Sequence, residues 1–231
     1  MEQKVTKSGI MLLLKKILLF LLIVSFIISC GLENSNERQD DEYRFFRRAN
    51  KDYLYSKSFF ENDLVKHFPD SLSENYITYS ESKSPEAGLI RLDLICKLNL
   101  IEYNHIKHIS KALYLPSDTC LLIVNRFANR ENYSFNIKIN HKDSLKINNN
   151  CYQEKLPIPN FWYNDYTTND TDCRLPKDFE IFVIDAKSGI FLDKKLLTDG
   201  RYMPNEWKNG FTRGVAISIK RNVIIYWLLI W

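Results

Sequence analysis

The sequence predicts an α+β domain built on a mainly antiparallel sheet, and three observations carry that expectation. Apolar runs of strand length recur along the chain and are bounded by turn residues, as in Phe179–Asp185 before Lys187-Ser188-Gly189. Helical spacing of apolar side chains is confined to short stretches. The last two apolar runs, Val215–Ile219 and Val223–Trp231, are joined by only Lys220-Arg221-Asn222, which makes them an antiparallel hairpin.

In chain order, Phe59, Phe60, Leu64, Val65 and Phe68 recur at helical spacing before Pro69 and predict a short amphipathic helix. A strand at Tyr76–Tyr79 follows, then a break at Ser84-Pro85-Glu86-Ala87-Gly88 and an alternating run over Leu89–Leu98. The stretch Ile101–Leu113 reads as a helix with Ile101, His105, His108, Ile109 and Ala112 on one face. Cys120–Val124 reads as a central strand, and Tyr133–Ile139 with Ser144–Ile147 as an edge pair in an Asn-rich region. Pro204 suits the first turn of a short helix through Trp207, and Asn209-Gly210 marks a turn. The final run is apolar at both alternating sets of positions, so it must be covered on both faces and lie inside the sheet.

The first sixteen residues carry Lys4, Lys7, Lys15 and Lys16 against Glu2, and the apolar-plus-Ser run Ile17–Ile28 follows, the pattern of a signal peptide. As a helix that run rises only about 18 Å, short of the roughly 30 Å hydrocarbon core, so a permanent span is disfavoured. The sequence Ile27-Ile28-Ser29-Cys30-Gly31 resembles the lipobox of bacterial lipoproteins. The resemblance implies that residues 1–29 are removed and that Cys30 carries lipid, anchoring the chain in a membrane of the cell envelope, the outer membrane by expectation, facing periplasm or cell surface. Several acyl chains, at about 0.8 kcal/mol per buried methylene, hold far more firmly than one. Residues 30–42 are polar, ending in Asp40-Asp41-Glu42, and read as a flexible tether. That acidic patch also resembles the export signal some Bacteroidetes-type lipoproteins carry after the lipidated Cys. Residues 43–231 then form one globular domain.

Without residues 1–29, which hold four of the 32 basic and one of the 28 acidic residues, the chain is close to neutral. Nucleic-acid binding needs a concentrated basic face and is not expected. Four cysteines remain besides Cys30, in a compartment where disulfides persist. Cys96 and Cys120 sit in strand-like runs as small hydrophobes, whereas Cys151 and Cys173 flank a polar, aromatic-rich stretch and are the candidate bridge.

The sequence holds no Gly-rich phosphate loop, no paired-His zinc motif with an intervening Glu and no Gly-x-Ser-x-Gly elbow, and nothing in it calls for a cofactor or metal. His105 and His108, three apart, could supply half a metal site, but Lys107 lies between them and no carboxylate or Cys stands at matching spacing. Asp185 ends an apolar strand, where an acid can be held beside a cleft, although Asp before a Lys-Ser-Gly turn is also ordinary turn chemistry. Pro157–Tyr166 presents four aromatics among amides and an acid, and Trp162, Tyr163 and Tyr166 are its candidate ligand-binding residues. A loop folding those rings onto the sheet would read the same way. Arg44, Arg47, Arg48 and Lys51 interleave with Tyr43, Phe45 and Phe46, which suits either anionic headgroups or the polar face of a first helix.

The segments Arg201–Pro204, Gly210–Gly214 and Trp227–Trp231 resemble the ends of Bacteroidetes-type envelope lipoproteins, a resemblance that implies no activity. The expected function is a non-enzymatic binding or assembly module, membrane-anchored through Cys30, with an envelope protein or glycan as partner. The competing readings are a hydrolase of envelope glycan or polymer, with Asp185 or Asp165 as acid or base, and an immunity-type lipoprotein.

Overall fold

The computed structural model describes residues 43–82, 90–126, 150–162, 165–200 and 203–231, together with Lys16 and Phe20. Cys30, the tether, the break at 84–88, the edge pair expected within 133–147 and Tyr163 lie outside the described residues. The chain divides into two compact units, Met1–Asp52 and Tyr53–Trp231. In the first unit residues 43–52 are helical, and in the second residues 53–58 are helical (α1 over 43–58).

The centre of the second unit is a six-stranded sheet in the order β1-β2-β8-β7-β6-β3, antiparallel throughout, with β1 Tyr76–Ser82, β2 Ile90–Lys97, β3 Ala112–Tyr114, β6 Glu180–Ser188, β7 Gly210–Ser218 and β8 Val223–Ile230. A separate parallel pair, β4 Ile123–Val124 with β5 Ile158–Pro159, belongs to the loop layer on one face. Besides residues 53–58, the unit contains the α-helices α2 Asn62–Val65 and α3 Leu100–Ile109 and short 3-10 turns. The α+β class and the antiparallel sheet therefore stand as the sequence predicts.

The C-terminal hairpin explains the apolar tail. Ser218 pairs with Val223 across the turn 219–222, and Asn222 takes φ 54°, a left-handed conformation Asn tolerates. β8 lies between β2 and β7, and every residue from Val223 to Trp231 is buried. Val223, Ile225 and Trp227 enter the core under the loop layer, where Phe161 meets Trp227 edge-on at 5.5 Å. Tyr226 points the other way, its ring 5.8 Å from that of Phe68. Gly214 faces Trp227 across the β7–β8 ladder; a Cβ there would sit 2.6 Å from the indole and 2.1 Å from the Phe182 carbonyl oxygen. Only glycine lets the backbone of β6 and the Trp227 ring close over this point.

Several expectations are corrected. Cys120–Val124 is not a central strand: Cys120 has φ 62° and only Ile123–Val124 pair, in the small sheet. The bridge joins Cys120 to Cys151, with Cα atoms 5.6 Å apart, and Cys173 is a free, buried thiol, as is Cys96. Cys173 instead fixes the loop layer through its backbone, its carbonyl accepting from Phe161 N at 2.9 Å. In α3 the expected inner face is the outer one. Ile106 is its one buried residue, Ile101 is 81% exposed, and Ala112 belongs to β3. The helix at Phe59–Phe68 is shorter than its apolar pattern, with Phe60, Leu64, Val65 and Phe68 buried and Phe59 exposed.

Candidate functional site

A cleft of about 310 Å³ opens between the turn after α2, the helix α3 and the sheet. Lys66 and His67 line it from the turn, Glu102, His105, Ile106 and Ile109 from α3, and Ile184 and Arg213 from β6 and β7. Its size lies at the lower end of the roughly 300–1,000 Å³ typical of small-molecule sites. α3 is placed by its cap: Asn99 Oδ1 accepts from Ile101 N at 3.0 Å, Glu102 stands in the first turn, and Lys107 and His108 stand in the last, matching the helix dipole.

A bulge sets the charges. Alternation along β6 would send Asp185 to the face of Ile181 and Val183, which face the loop layer. The register with β7 shifts between Val183 and Asp185, so that Asp185 pairs with Arg213 and both side chains reach the same face. Lys111 donates to Asp185 Oδ1, and Arg213 Nη2 lies 3.7 Å from Asp185 Oδ2. Arg213 Nη1 also donates to the Asp63 carbonyl, which ties β7 to α2. Burial raises the Asp185 carboxyl, but the hydrogen bond and charge of Lys111 with the charge of Arg213 outweigh it, and the group stays below the usual carboxylate range. Asp185 is therefore a fixed anion inside its strand, not a proton donor at a strand end.

Two further side chains are held rigidly. Burial lowers His67 to about 3, with the charges of Arg213 and Lys57 acting the same way and its hydrogen bond to the Trp227 carbonyl opposing them. The imidazole is neutral, and because a carbonyl only accepts, its Nε2 carries the proton in the 2.9 Å bond to Trp227 O. Glu102 accepts from the Tyr226 hydroxyl, whose pKa burial and this bond both raise.

Among the described residues the aromatic loop does not present the expected recognition face. Trp162 is 8% exposed and Phe161 is fully buried, while Tyr166 is half-buried, 5.8 Å from Phe179. The reason is that one sheet face needs cover, and among the described residues the loop layer supplies it by folding Phe161 and Trp162 inward. His105 and His108 are exposed, and no cluster of three or more metal-ligating side chains occurs among the described residues.

A second place holds chemistry that sequence reasoning missed. Asp93 on β2 is 2% exposed, its Oδ2 2.9 Å from Arg91 Nε, and burial pushes it up to about 7 against the opposing charge of Arg91. Asp93 and the expected Asp165 line one cavity with Thr78, Tyr79 and Ser80, but its volume is only about 110 Å³. The signal for Asp93 was an Arg and an Asp two apart inside an apolar strand, hence on one face of it. Arg213, Glu102, Lys66 and His67 carried no such signal, because their meeting depends on the packing of three distant segments.

No helix among the described residues is long and apolar enough to cross a membrane. No protein-family model, curated protein or solved structure matches the chain.

Proposed function

We propose that this chain is a membrane-anchored lipoprotein of the cell envelope, lipidated on Cys30, whose folded unit binds a small ligand in the α3 cleft without transforming it. The observation that carries the binding reading is the state of two ionisable groups, His67 in the cleft wall and Asp185 beside the lining residue Arg213. Asp185 is locked as an anion between two cations, and His67 is neutral far below physiological pH. Catalytic acids and bases work best with pKa values near the operating pH, and both of these are held well below it. What remains is fixed charge beside an aliphatic wall, the composition of a recognition site.

A hydrolase is the second reading, favoured by Asp93 and Asp165 sharing one cavity while Asp93 is raised to about 7. The cavity's small volume speaks against a polymer substrate. Affinity capture with the immobilised full chain separates the two readings. Small molecules from an envelope extract should be retained by the wild type, released chemically unchanged, and lost by Ile109→Trp, which fills the cleft. Conversion of a retained compound, abolished by Asp93→Asn, would overturn the binding reading in favour of the hydrolase.

A further inference from the structure

The walls of the cleft carry opposite charges that their own neighbours leave uncompensated. On the sheet side, Lys111, Asp185 and Arg213 form a chain of two cations and one carboxylate, which leaves one positive charge over. Arg213 is 6% exposed, and its contact with Asp185 at 3.7 Å is too long for a hydrogen bond. Its Nη1 is bound to the Asp63 carbonyl, and its Nε has no partner among the described residues, so this guanidinium is under-used as a donor. Lys66 beside it is paired with Asp63 at 3.2 Å, both well exposed, and adds little net charge.

On the helix side, Glu102 accepts from the neutral hydroxyl of Tyr226, and no cation pairs with it among the described residues. Glu102 and Arg213 line the same cleft yet form no ion pair with each other, so the space between them separates an anion with no cation partner from a guanidinium that shares the single Asp185 carboxylate with Lys111. The surface between is aliphatic: Ile106, Ile109 and Ile184. A low-dielectric wall strengthens both fields. A simple anion would satisfy Arg213 and be repelled by Glu102, and a simple cation would meet the reverse.

We propose that the cleft binds a small aliphatic zwitterion, an α-amino acid or dipeptide whose carboxylate meets Arg213, whose ammonium meets Glu102 and whose side chain lies on Ile106, Ile109 and Ile184. This rests on the reading of the cleft as a binding site. The zwitterion supplies both missing charges at once, and its apolar part replaces water on the aliphatic wall.

The test is calorimetric titration of the full chain in detergent with leucine and leucylleucine, beside N-acetyl-leucine and leucinamide, which each lack one charge. At least one zwitterion should bind saturably, and each singly charged form at least tenfold more weakly. Glu102→Gln keeps the acceptor for Tyr226, so it should fold, weaken the zwitterion about tenfold and bind N-acetyl-leucine more tightly than the wild type does, because the repelling charge is gone. Equal binding of all four compounds, or full zwitterion affinity in Glu102→Gln, would overturn the proposal. If neither zwitterion binds while other compounds are captured in a manner sensitive to Ile109→Trp, the zwitterion falls and the binding reading stands. If a zwitterion binds with the expected pattern and is consumed, dipolar recognition stands and the non-catalytic reading falls.

Discussion

Deleting Trp227–Trp231 should prevent folding of the unit formed by Tyr53–Trp231. The five residues are Trp227, Leu228, Leu229, Ile230 and Trp231, all 3% exposed or less. Fully burying a large apolar side chain contributes about 1.5–3 kcal/mol, so the five together contribute about 7–15 kcal/mol. Unfolded chains already bury part of this surface, and a reduction of about 40% still leaves several kcal/mol. The total stability of a domain is only about 5–15 kcal/mol. The deletion also breaks two ladders, because Trp227–Ile230 pair with Ile90–Asp93 on one side and with Phe211–Gly214 on the other. The strands β2 and β7 would each be left with an open edge of unpaired backbone groups, a template for aggregation. Full and truncated chains should be expressed in parallel and compared by recovery from membranes and by far-UV circular dichroism during heating. A truncated protein with an unchanged cooperative melt would refute the placement of this strand at the heart of the sheet.

Gly214→Ala should lower stability by at least about 2 kcal/mol, a drop of roughly 5 °C or more in Tm, since the new Cβ meets the backbone oxygen of Phe182 at 2.1 Å. An unchanged melt would show that β6 and β7 are not packed as described. Non-reducing peptide mapping should recover a Cys120–Cys151 cross-link, with Cys96 and Cys173 alkylated only after denaturation; a Cys151–Cys173 peptide would contradict it. Asp93 sets a pH dependence of unusual sign. Its folded pKa of about 7 lies above the unfolded value of about 3.8, so the folded state holds the extra proton and stability falls as pH rises between them. The Tm of Asp93→Asn minus that of the wild type should therefore increase from pH 4 to pH 7, and a flat difference would place Asp93 elsewhere than in a buried pair.

The sheet was legible in the sequence where burial on both faces left continuous apolar runs, as at Phe179–Asp185 and Val223–Trp231. Short elements were less so. α3 buries only Ile106, so its apolar residues Leu100 and Ile101 face solvent and the pattern pointed to the wrong face. Cysteine pairing could not be read because four thiols allow three connectivities, and the left-handed turn at Cys120, φ 62°, leaves no trace in its strand-like residue run. Trp162 reads in the sequence both as a binding residue and as cover for a sheet face, and only its burial in the fold decides. Asp185 was found as an acid in the right strand, but the bulge that turns it toward Arg213 leaves no trace in residue types. The cleft itself was invisible, since His67, Glu102 and Arg213 are brought together by the α2 turn, α3 and β7.

The intact mass of the protein extracted from membranes with detergent tests the lipoprotein reading most directly. The expected species begins at Cys30 and carries the added mass of a diacylglycerol and an amide-linked acyl chain, and Cys30→Ser yields only the uncleaved, unlipidated chain. A wild-type protein that retains residues 1–29, or that begins at Cys30 without added acyl mass, would contradict it.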